Sequence, residues 1–318
     1  MHVAKAPAQK RWKALRKRNR IIRDFKINKY IYIMAVPVLL YYLVIHYIPM
    51  YGAVIAFKDF SPVKGVSGSP WVGWKHFSNF YDSYYFWRLI RNTFLINVYQ
   101  LLFAFPAPII FALMLNEISR QWFKRTVQTV TYLPHFISII VVCGMLVDFL
   151  ARDGFITHVL VWFGLEQTAL LSKAEYFRTI YIASDIWQHI GWGSIIYLAA
   201  LSGINPELYE ASKVDGAGRF KQVVHVTIPG IMPMIVILLI LKIGNMMELG
   251  YEKIILLYNP NTYETADVLA SFIYRRGLES GSEYSYTTAI GLFQSMINFM
   301  LLVMANYISR RLNDTSLW

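Results

Sequence analysis

Asp185, Gln188, His189 and Trp192 fall at i, i+3, i+4 and i+7 inside a long apolar run, which places them on one stripe of an α-helix. A carboxylate set against lipid costs about 2.5 to 3.5 kcal/mol on insertion scales, so this stripe is expected to face protein or water. Two chemistries fit it. Carboxylates and amides bond to hydroxyls while an indole face packs on sugar C–H groups, which would line a carbohydrate path. The same groups could equally tie neighbouring helices together through hydrogen bonds. A later apolar run ends in Lys242, Asn245, Glu248 and Tyr251, with Gly244 and Gly250 among them. Lys242 and Glu248 lie about 240° apart on a regular helix, so they pair only if it unwinds, and a local break is expected near Gly244. Asn245, Glu248 and Tyr251 form a second group of pathway candidates, with the external membrane interface as the other reading of Glu248.

Other chemistries lack their residues. No Gly-x-x-x-x-Gly-Lys-[Ser/Thr] occurs and the dipeptide Gly-Lys is absent, so nothing in the chain can cradle nucleotide phosphates as a P-loop does. Neither His-Glu-x-x-His nor Gly-x-Ser-x-Gly is found, and a single cysteine, Cys143, excludes an intrachain disulfide and a cysteine-based metal site. No metal site and no catalytic residues are assigned, and no bound cofactor is expected on this chain.

The stretch from Gly203 to Pro229 is the one long polar interruption between apolar runs that is itself written as structure. Asn205 can cap a helix whose first position is Pro206, because its side chain accepts an orphan amide and proline has none to offer there. That helix is expected to stop near Asp215-Gly216-Ala217-Gly218, before a second, basic helix from about Arg219 to Val226 that Pro229 ends.

Glu210-Ala211-Ser212, followed at fixed spacing by Gly216 and by Val226-Thr227-Ile228-Pro229, resembles the EAA loop of membrane subunits of binding-protein-dependent ABC importers. Ser212, Val226 and Ile228 stand where that pattern usually has Ala, Ile and Leu. Segments such as Tyr258 to Asp267 and Tyr274-Arg-Arg-Gly277 are similar to the carbohydrate branch, particularly its polysaccharide permeases. The resemblance implies a type I importer permease without a nucleotide site of its own, moving an oligo- or polysaccharide by alternating access. It implies a second homologous permease, two ATPase subunits that hold ATP and Mg, and an extracytoplasmic solute-binding protein. Glu210, Ala211, Ser212, Asp215, Gly216 and Pro229 become the residues that couple to the ATPase, and Asp185, Gln188, Trp192, Asn245, Glu248 and Tyr251 the expected substrate path. The alternatives are an importer for a peptide or organic ion, or a membrane-embedded polyprenyl-sugar transferase. The transferase would want charged residues clustered in its loops, and no convincing cluster is found.

The elements that must position these residues are membrane spans. The chain is 56% hydrophobic and 16% charged, well below the roughly 25% charged of soluble domains. Six apolar runs, about Tyr30 to Ala53, Thr93 to Leu115, Tyr132 to Leu150, Arg178 to Leu201, Ile228 to Met247 and Thr287 to Asn306, are each long enough to cross roughly 30 Å of hydrocarbon. The expected fold is an all-α, multi-pass protein of the bacterial cytoplasmic membrane with six transmembrane helices and both termini cytoplasmic. A basic N-terminal segment occupies 1–29, the permease domain 30–308 with the coupling loop at 203–229, and a C-terminal tail 309–318. The formal charge of +12 invites a nucleic-acid partner, but its distribution argues for membrane lipid instead. With that topology the cytoplasmic segments hold 19 Lys/Arg against six Asp/Glu, and the rest 12 against 13, which is an orientation signal. Pro106 and Pro108 predict a bend in the second span, and the aromatic-rich stretch from Phe57 to Phe86 reads as an external contact for the binding protein.

Overall fold

The computed structural model describes residues 27–164 and 166–313, so most of the basic N-terminal segment and the last residues of the C-terminal tail lie outside the described residues. Everything described is helix, turn or loop apart from one isolated β-bridge, Lys58 to Trp71. The chain divides into two units, residues 1–55 and 56–318. The first contains nearly all of helix α1 (Lys29–Phe57). The second holds α2 (Phe86–Asn116), α3 (Gln121–Tyr132), α4 (Ile139–Phe149), α5 (Phe155–Trp162), α6 (Ala174–Ser202), α7 (Pro206–Val214), α8 (Arg219–Gly244), α9 (Tyr251–Leu257), α10 (Leu269–Ile273) and α11 (Tyr284–Asn313).

Among the described residues, four helices are long and apolar enough to cross a membrane, α1, α2, α8 and α11, and a fifth span results if α3 and α4 count as one broken crossing. The six expected spans are therefore met in part. Helix α6 is long enough at 29 residues, but Asp185, Gln188 and His189 lower its hydropathy and Glu175 and Arg178 load its first turns with charge. The expected third span, Tyr132 to Leu150, is not one continuous helix: Gln121–Phe136 and Ile139–Phe149 meet at 99°, as a broken span or a re-entrant loop would. Pro134 turns the chain into a 3-10 turn over Leu133–Phe136, Ile137 is extended, and Ser138 starts a new helix by accepting the Val141 amide.

Proline shapes the long helices without ending them. In α1 the Ile48 amide donates to Leu43 O just before Pro49, in α2 Phe105 donates to Gln100 O before Pro106, and in α8 Ile228 donates to Val223 O before Pro229. Each is an i to i−5 bond, a single π-turn. A proline ring collides with the carbonyl four residues back and offers no amide to it, and the widened turn shifts that carbonyl aside. The second helix of the 203–229 loop thus does not stop at Pro229, as its sequence suggests. It runs through to Gly244, and the break expected there is present.

Helices α2, α6 and α8 share a core around Ala112, Tyr197, Leu201 and Ile231. A second cluster joins α6 to α9 through Phe177, Tyr181, Ile254 and Val268. The segment between α8 and α11, external by sequence, is among the most buried parts of the chain. Asp267 has no exposed surface, and it accepts from Arg275 at 2.8 Å, Arg88 at 3.3 Å and Ser271 at 2.9 Å. Burial opposes the charge on Arg275, but the Asp267 carboxylate outweighs it and holds the guanidinium firmly protonated.

Candidate functional site: a coupling loop and a polar cavity

The loop 203–229 folds as its residue types dictate. Asn205 Oδ1 accepts the Glu207 amide at 3.0 Å, Pro206 takes the first helical position, and α7 ends at Asp215. Gly216 has φ of +76°, and its amide and that of Ala217 close the helix on Lys213 O and Ser212 O. Glu210, Ala211 and Asp215 are exposed, whereas Ser212 turns its hydroxyl back onto Tyr209 O at 2.8 Å. Pro229 lies apart from them, inside α8. Leu208, Val214 and Phe220 are also exposed, with Val214 at 89% and Phe220 at 80%, so the loop offers apolar side chains among Lys213, Arg219 and Lys221. One contact ties α7 to α8: Tyr209 OH lies 3.0 Å from Thr227 Oγ1, in the π-turn before Pro229.

A cavity of about 360 Å³ lies where α6, the π-turn of α2, the end of α8 and the start of α9 meet. Asp185 and Glu248 both line it, so the structure joins one candidate from each sequence group. Asp185 Oδ1 is 3.3 Å from His189 Nδ1 and 3.8 Å from Lys253 Nζ. Lys242 Nζ donates to Gln100 Oε1 at 2.8 Å, and Lys253 Nζ to Tyr181 O at 3.2 Å.

The other four candidates lie elsewhere. Gln188 is buried and donates to Ile137 O at 3.3 Å, bracing the break between α3 and α4. Trp192 stacks on His135 at 4.6 Å with 4° between the rings. Tyr251 stacks on Tyr274 at 5.0 Å, and exposed Asn245 follows the last turn of α8. Sequence reasoning missed Lys253 because its segment reads as an external loop. Its side chain is 7% exposed and its amine sits 4.7 Å from the Tyr181 ring centroid, a placement that only the fold reveals.

Residues 104–314 match the family described as "Binding-protein-dependent transport system inner membrane component". The chain belongs to this family. It is accordingly a multi-pass permease component of the inner membrane, a transport subunit without catalysis of its own. Over 303 residues it is 41% identical to the polygalacturonan/rhamnogalacturonan transport system permease protein YteP of Bacillus subtilis (strain 168), spanning 95% of this chain and 94% of that one. Protein LplB of the same organism is 42% identical, covering 92% of each. Among solved structures, a bacterial ABC transporter involved in the import of the acidic polysaccharide alginate matches with a TM-score of 0.85 at 43% identity, covering 92% of this chain and 99% of that one. A bacterial alginate ABC transporter in complex with an alginate pentasaccharide-bound periplasmic protein matches with a TM-score of 0.86 at 41% identity, over 94% and 100% of the two chains.

Proposed function

We propose that this permease imports an acidic oligo- or polysaccharide by alternating access, in a complex with a second homologous permease, two ATPase subunits and an extracytoplasmic solute-binding protein. The observation that carries the reading is a likeness over nearly the whole chain, at 41 to 43% identity, to permeases named for polygalacturonan and for alginate. Both names denote chains of sugar acids. The cavity beneath Asp185 and Glu248 is suited to such a cargo, since it offers ammonium, carboxylate and amide groups to hydroxyls and carboxylates.

The topology is six spans with both termini cytoplasmic, counting α1, α2, the broken pair α3 and α4, α6, α8 and α11, in a type I importer arrangement. Helix α6 is counted because it is 29 residues long and two of its polar side chains are engaged by protein, Gln188 with Ile137 O and Asp185 with Lys253. Helix α7 then lies on the cytoplasmic side and docks on an ATPase subunit, with Glu210 and Ala211 exposed for contact and the Asp215-Gly216 reversal setting its angle. ATP and Mg are held by the ATPase subunits.

The test is ATP hydrolysis by the purified complex with saturating binding protein, challenged with galacturonate, mannuronate and neutral glucose oligosaccharides. Stimulation by a uronate oligosaccharide and not by the neutral glycan is expected. Stimulation by a peptide or by the neutral glycan alone would contradict the reading.

A further inference from the structure

We infer that Lys242 and Lys253 are the specificity-determining residues that read substrate carboxylates, an inference that rests on the acidic-glycan reading and extends it to named side chains. The two amines enter one cavity from either side of the helix break, Lys242 from the last turn of α8 and Lys253 from the first turn of α9. An ammonium has three donors, and each of these meets one acceptor within hydrogen-bond distance, Gln100 Oε1 for Lys242 and Tyr181 O for Lys253. Both acceptors are neutral. The nearest carboxylate oxygen, Asp185 Oδ1, is 3.8 Å from Lys253 and is shared with His189, so it is an ion-pair partner beyond hydrogen-bond reach. Lys253 is buried and Lys242 half-buried; each has donors to spare and a neutral hydrogen-bond acceptor, so an entering carboxylate can add the shorter and stronger charge-assisted bonds that neither amine has.

The remaining charges bound how tightly such a cargo is held. Asp185, Glu248 and Glu252 line the same cavity, so three carboxylates face two ammoniums and the site has no net positive charge. A uronate therefore finds local donors without a deep electrostatic well. Passage requires that balance, favourable enough to enter and weak enough to leave.

Proteoliposomes carrying the whole complex separate this from the reading beneath it. The probes are tetragalacturonate and its methyl ester, each at a concentration that saturates the binding protein, and the readout is ATP-dependent uptake. Lys242→Met and Lys253→Met are expected to slow uptake of the acid about tenfold, the weight of one charge-assisted bond, and to leave the ester unchanged. Lys253→Arg should keep the preference for the acid. Should Lys253→Met fail to assemble because Asp185 loses its partner, the charge-neutral pair Lys253→Met with Asp185→Asn replaces it, with the same expectation. Variants that retain the wild-type preference, or that lose acid and ester uptake equally, overturn the inference. Wild-type protein that moves neither probe removes the acidic-glycan reading, and this inference with it.

Discussion

Gly216 has a φ of +76° with nothing within 4 Å of the position a Cβ would take, so only its backbone forbids a side chain. Valine there should cost on the order of 1 to 3 kcal/mol and tilt α7, whereas asparagine, which tolerates the left-handed region, should be accepted. The ratio of substrate-stimulated to basal ATP hydrolysis checks this: Gly216→Val is expected to lose stimulation and Gly216→Asn to keep it. The polar stripe of α6 shows what single residues disclose and what they conceal. At 100° per residue Gln188 and His189 diverge enough for one to brace the α3–α4 break while the other joins Asp185 at the cavity. Their spacing placed the stripe against protein or water, and the structure divides it, with Gln188 buried and His189 and Trp192 exposed. What Gln188 meets depended on Pro134 and Ser138 breaking the third span, since the kink sets Ile137 O against it.

Among the elements, α7 and α8 are joined by the hydrogen bond from Tyr209 to Thr227, which is 2% exposed and belongs to a π-turn. A push on α7 thus reaches a helix that runs unbroken to Lys242 and, through it, to Gln100 in the π-turn of α2. Tyr209→Phe removes one hydrogen bond worth about 1 kcal/mol, and should lower stimulated hydrolysis while basal hydrolysis and assembly persist. Helix α6 is fixed on its other side by Gly191, where a Cβ would stand 2.2 Å from Thr131 O at the end of α3. Backbone cannot give way as a flexible side chain can, so Gly191→Ala is expected to destabilise by about 1 to 3 kcal/mol and to lower the thermal unfolding midpoint of the purified complex. The start, cap and stop of α7 were all legible from Asn205, Pro206 and Gly216 because each acts locally. The continuation of α8 past Pro229 was not, because a π-turn is a response of the whole helix to the proline.

At the scale of the molecule, the charge asymmetry predicts an orientation that labelling can check. Cys143 is 2% exposed and can be replaced by serine, leaving Lys213→Cys on α7 and Asn261→Cys before α10 as exposed single thiols. A membrane-impermeant maleimide should reach position 213 only from the cytoplasmic side and position 261 only from outside. Reversed labelling would overturn the topology.

Membrane character and the six apolar runs could be read from composition, because lipid imposes a length and an apolarity on every span. The burial of Asp267 and Lys253 could not, because a polar segment folded into a membrane protein reads locally like any external loop.

Under the proposed function, this permease links a binding protein outside to ATP hydrolysis inside. The most direct test is uptake of labelled tetragalacturonate into proteoliposomes containing the permease pair and both ATPase subunits. Accumulation is expected only when ATP is enclosed and loaded binding protein is outside. Equal accumulation without ATP, or without the binding protein, would contradict that function.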